Sequence, residues 1–137
     1  MTSEAKTKAT EVDVDGFIAA SARPADGAAL CALMRRVTGL EPRMWGPTIV
    51  GFGRRKYALA GGKQGEFLAI GFAPRKSALV LYLNHAPGWQ DRLERLGQHS
   101  TGVGCLYVKR LTEVDMGVLE ELVSAAWTDA APEAILT

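Results

Sequence analysis

The 137-residue chain predicts an α+β domain, an antiparallel sheet of five strands flanked by helices. Three observations carry this. Apolar residues recur at helical spacing in the first 40 residues and again after residue 112. Between them stand short β-branched and aromatic runs separated by Gly and Pro. Most of the links between those runs are too short for the crossover a parallel pair needs, so the strands are expected to be antiparallel.

Residues 1–10 are polar and read as a flexible N-terminus, residues 11–128 as one domain, and residues 129–137 as a tail. Thr10 with Asp13 three positions later resembles a capping box, and Val14, Phe17 and Ile18 give residues 11–20 one apolar face. Pro24 suits the first turn of a second helix running to Thr38, with Gly39 closing it. Its expected buried stripe is Ala29, Leu30, Leu33, Met34 and Val37, with Cys31 near the edge.

Pro42 and Pro47 exclude helix around Trp45, so Met44 to Gly53 leads the chain into the sheet and is expected to wall any pocket. Strands are expected at Thr48–Phe52, Lys56–Ala60, residues 66–73, residues 77–83 and Cys105–Lys109, with Gly61–Gly65 as a turn. Both faces of residues 77–83 are apolar, which predicts a central strand covered on each side at least in part. Trp89, Leu93 and Leu96 predict a short helix ending at Gly97, and Thr112 is expected to cap the last helix, whose stripe runs from Val114 to Ala126.

Composition excludes several classes. Hydrophobic residues are 47% and charged residues 23%, ordinary for a globular domain, and no apolar run approaches the ~20 residues that span a bilayer. The first residues carry no secretory pattern, so a cytoplasmic protein with two free thiols, Cys31 and Cys105, is expected. Residues 35–110 hold 13 Lys/Arg against 4 Asp/Glu (+9), and the remainder holds 3 against 11 (−8). A basic middle between acidic ends either steers an anionic ligand or is neutralised by the acidic helices.

Catalytic and metal motifs are absent. His85 and His99 stand 14 apart, no CxxC or HExxH spacing occurs, and Ser100 lacks a G-x-S-x-G setting, so neither an enzyme nor a resident cofactor is expected. Thr101-Gly102-Val103-Gly104 lacks the lysine of a phosphate loop and leads into a strand. Basic residues such as Arg54-Arg55-Lys56 blunt sheet edges, and with near-neutral total charge no nucleic-acid partner is expected. What remains is a small pocket lined by Trp45, Tyr57, Phe72, Tyr82 and Tyr107, with Arg75 or Lys109 as its polar anchor. Its expected partner is a small anionic ligand or another protein.

Four blocks, MWGPTIVGFG, RRKY, GFAPRKSALVLYL and LGQHSTGVGCLYVKRLTEVDMGVLEELV, resemble the YdhG-like domain family in order and register. The resemblance covers residues 11–127 and implies a frataxin-like α+β sandwich. Most members have no assigned activity, and one bacterial branch is described as an iron chaperone for iron–sulfur assembly. That branch implies weak iron binding through Glu11, Asp13 and Asp15, although carboxylates two apart do not share one helix face. Relatives carry lysines in the loop before the last strand where this chain has Gln98, Ser100 and Val103.

Overall fold

A computed structural model describes residues 9–10, 13–58, 64–102 and 105–130. In chain order the elements are β1 (Ala9–Thr10), α1 (Val14–Ala20), α2 (Pro24–Thr38), β2 (Arg43–Trp45), β3 (Ile49–Phe52), β4 (Arg55–Ala58), β5 (Gln64–Phe67), β6 (Ile70–Pro74), β7 (Leu79–Tyr82), α3 (Trp89–Leu96), β8 (Ser100–Gly102), β9 (Cys105–Val108) and α4 (Met116–Ala130). A single 3-10 turn, Leu111–Glu113, precedes α4.

The α+β organisation with an antiparallel sheet is as the sequence predicts, but the sheet is larger than five strands. Six strands of three or more residues form it in the order β2-β3-β6-β7-β9-β8, and the two-residue β1 extends it beyond β2. Every pairing in it is antiparallel. The extra strands are short pieces, β2 and β8, that carry too little alternation to be read from sequence. One expected strand, residues 66–73, divides into β5 and β6, because the chain leaves the main sheet after β3 to form a separate β4–β5 ribbon.

Alternation along the strands sets the two faces. Met44, Val50, Phe52, Ile70, Phe72, Leu79, Leu81, Leu106 and Val108 point to the helices, where they meet Leu30, Leu33 and Met34 of α2 and Leu119, Leu122 and Val123 of α4. At ~25 cal/mol per Å2 of apolar area, this shared core is the main favourable term in folding. The stripe of α2 departs from expectation by a small rotation: Ala29 is exposed and Cys31 is buried.

The ends of the helices follow local chemistry. Gly39 takes φ 73°, which suits glycine, and donates its N–H to Arg35 O at 2.8 Å. At the start of α1, Thr10 lies in β1 and Asp13 occupies the cap position, so the expected capping box is not formed. At the start of α4 the capping side chain is Asp115, not Thr112. Its Oδ1 accepts from Val118 N at 3.1 Å, while Thr112 lies in the 3-10 turn. The last helix continues to Ala130, two residues past the expected boundary.

The first turn of α2 is fastened to one end of the sheet. Arg23 Nε donates to Arg75 O at 2.8 Å, Nη2 to Lys76 O at 3.0 Å and Nη1 to Lys109 O. Asp26 Oδ2 accepts from Leu111 N at 3.2 Å. The β6–β7 turn and the end of β9 are therefore held together by one planar guanidinium.

Candidate functional site

The second face of the sheet, turned away from the helices, has an unusual row. Arg43, Gly51, Gly71 and Tyr82 stand opposite one another across β2, β3, β6 and β7. The two glycines leave a slot in the middle of the row. Trp45 lays its indole over Gly51, and the Leu68 side chain sits against both Gly51 and Gly71; a Cβ on Gly51 would lie 2.8 Å from Leu68 Cβ and closer still to the indole. Phe67, at the end of β5, stands edge-on between Trp45 (centroids 5.8 Å, 76°) and Tyr82 (6.5 Å, 88°).

Tyr82 is held from two sides. Its ring meets Phe67, and its hydroxyl accepts from Arg75 Nη2 at 3.3 Å. Tyr107 lies beyond it on β9, leaning over Gly102. The neighbouring Cys105 thiol, with some help from desolvation, raises the Tyr107 phenol above its ordinary value.

A groove of about 330 Å3 opens beside Tyr82, lined by Arg55, Phe67, Leu68, Ala69, Leu83, Asn84 and His85 as well. Arg55 and Phe67 are directly opposed in the β4–β5 ribbon, so both side chains fall on the same face of it. Arg54, the next residue, pairs with Glu66 at 3.3 Å, whereas Arg55 has no carboxylate partner among the described residues. Asn84 donates Nδ2 to the Asp129 carboxylate, which fixes its amide orientation, and its Oδ1 is left buried without a hydrogen bond. His85 stacks on Trp89 at 4.4 Å and 14° between planes. A second, shallower depression of about 840 Å3 between α3 and α4 is lined by Arg92, Glu120, Glu121 and Asp129 and carries the ion pairs that join those helices.

The expected pocket residues are thus partly gathered and partly dispersed. Tyr82, Tyr107 and Arg75 come together on the second face. Trp45 shares that face but is only 3% exposed, so it roofs Gly51 and does not wall an opening as the sequence predicts. Phe72 is 0% exposed and points to the helices, because strand alternation sends it opposite to its neighbours Gly71 and Ala73. Lys109 is exposed, and its contribution is the carbonyl that receives Arg23. The Tyr57 side chain lies outside the described residues. Arg55, Phe67, Asn84 and His85 are the groove residues that sequence reasoning did not assemble. Nothing local marks them, since their meeting depends on where the β4–β5 ribbon folds.

Asp13 and Asp15 are both exposed, Asp13 precedes the first turn of α1, and Glu11 lies outside the described residues. Among the described residues no group of three His, Cys, Asp or Glu side chains is placed to share a metal ion. Both cysteines are free, and burial pushes the Cys31 thiol upward. Gln98 and Ser100 are exposed near β8, and Val103 lies outside the described residues. Among the described residues no helix is long and apolar enough to cross a membrane.

Comparison of the chain with family models, with curated proteins and with solved structures returns no match.

Proposed function

We propose that the chain is a YdhG-like, non-enzymatic cytoplasmic binding or accessory domain that takes a small anionic molecule beside Tyr82. The observation that carries this reading is the groove itself. It has apolar and aromatic walls from Phe67, Leu68, Ala69 and Leu83, one cation from Arg55 that no described carboxylate neutralises, and a tyrosine braced on both sides. A concave site with apolar walls and a few fixed polar groups is what small-molecule recognition requires. Arg75 acts as a positioning residue, holding the Tyr82 hydroxyl so that the ring stays against Phe67. The iron-carrier reading implied by the resemblance has Asp13 and Asp15 to draw on among the described residues, and no observation of the fold favours it.

Titration of the isotopically labelled protein with small organic carboxylates and phosphate monoesters tests the proposal. Binding should shift the amide signals of Phe67, Leu68, Ala69, Leu83, Asn84 and His85 together. Tyr82→Ala should weaken it at least tenfold, about 1.4 kcal/mol. Shifts scattered over the surface, or none at all, would remove the groove as the site.

A further inference from the structure

We infer that the groove selects a small planar monoanion, an aromatic carboxylate whose ring carries a hydrogen-bond donor; this rests on the reading of the groove as the binding site. Three features of the lining set the class. The charge is single: Arg55 is the one lining residue with a permanent charge, and the nearest acid on its ribbon, Glu66, is engaged by Arg54. A guanidinium fork matches one carboxylate in bidentate fashion, whereas a doubly charged phosphate is left half-neutralised by a single arginine in apolar surroundings.

The body is flat and apolar. Phe67 stands edge-on to Tyr82, and both line the space with Leu68, Ala69 and Leu83. A ring entering the groove beside this pair extends the same edge-to-face packing. The volume, about 330 Å3, lies at the bottom of the ~300–1,000 Å3 range of small-molecule sites, which fits one substituted ring better than a nucleotide.

The donor follows from Asn84. One N–H of its amide goes to the Asp129 carboxylate, and the amide oxygen of this groove-lining residue is buried with no partner. A buried carbonyl oxygen without a donor is uncommon in folded proteins. Turning the side chain to bring this oxygen to the groove gives up the Asn84–Asp129 bond and in exchange lets a hydroxyl or ring N–H on the ligand satisfy the oxygen.

Chemical-shift titration with para-hydroxybenzoate, benzoate, para-hydroxybenzamide and phenyl phosphate separates the features. The geometry requires para-hydroxybenzoate to bind tightest, benzoate several-fold weaker for want of the donor, and the neutral amide at least tenfold weaker. Arg55→Gln should erase the preference for acid over amide, and Arg55→Lys should restore part of it. Asn84→Leu should erase the preference for para-hydroxybenzoate over benzoate. These are ratios within one variant, so a change in its stability does not mimic them. Equal binding of acid and amide, or stronger binding of phenyl phosphate, overturns the ligand class while leaving the groove as a site. If none of the four probes moves the groove amides, the binding reading falls and this inference falls with it.

Discussion

Gly51 does more by what it lacks than most side chains here do by what they supply. Trp45 and Leu68 lie as they do against the second sheet face only because positions 51 and 71 carry no Cβ. Gly51→Ala places a methyl group against the Leu68 side chain and the Trp45 indole at once, and neither has room to retreat, since both are buried. Overpacking of this kind costs about 1–3 kcal/mol. Urea denaturation should show that loss. The same variant should shift the amide signals of Phe67 and Tyr82, since the displaced indole and Leu68 no longer set the position of Phe67. A stable Gly51→Ala protein with unchanged Phe67 signals would show that the slot is wider than the packing implies.

At the scale of elements, one residue joins pieces that are distant in sequence. Arg23 spans from the start of α2 to the carbonyls of Arg75, Lys76 and Lys109. Lysine keeps the charge but cannot present three donors in a fixed plane. Arg23→Lys is expected to cost about 1–2 kcal/mol, since each charge-assisted bond is worth on the order of 1.5–3 kcal/mol before exposure discounts it. Hydrogen exchange is the sharper measurement: amides of the β6–β7 turn and of residues 109–111 should exchange faster, with those of the α4 interior unchanged. Uniform acceleration across the protein would point to a global effect and not to a local fastening. The ion pairs Arg36–Glu120 (3.0 Å) and Arg95–Glu121 (3.2 Å) bridge helices in a similar way but are exposed, which limits each to about 0–1 kcal/mol.

Those pairs have a meaning for the molecule as a whole. The basic middle of the chain is partly neutralised by carboxylates of α4, as an acidic helix lying beside basic neighbours requires. Among the described residues Arg55, which lines the groove, takes no part in this pairing. A further whole-molecule property follows from Cys31. Burial raises its thiol, Arg35 opposes that, and Asp15 and Glu41 add to it. The neutral thiol is therefore favoured in the folded state. Its contribution to stability is full below the unfolded value, about 8.5, and is lost as pH rises through the folded one. Unfolding free energy measured from neutral to alkaline pH should fall more steeply for the natural chain than for Cys31→Ala. In a thiol-reagent assay under native conditions, the half-buried Cys105 should react well before Cys31. Equal slopes, or equal rates, would contradict the burial of Cys31.

Much of this was written locally. Pro24, Gly39 and the spacing of Leu30, Leu33 and Met34 are enough to specify α2, because capping chemistry and helical periodicity act over a few residues. The alternation of Leu79, Val80, Leu81 and Tyr82 specifies a central strand in the same way and puts Tyr82 on the face opposite to Leu79 and Leu81, the two residues that join the helix-covered core. The path of the chain through Phe67, Leu68, Ala69 and Ile70 was not legible. An unbroken apolar run there looks like one strand, and only the two glycines of the neighbouring strands make it favourable to tuck Leu68 across the sheet and start β6 afresh. Arg55 and Phe67 reach Tyr82 by that detour, so the sequence by itself determined an antiparallel α+β domain with Tyr82 on the strand face opposite to Leu79 and Leu81, and the tertiary structure alone decided which face meets the helices and that a groove lies beside Tyr82. Periodicity reports which face a residue takes within its own element; it holds no information about which distant element comes to lie against that face.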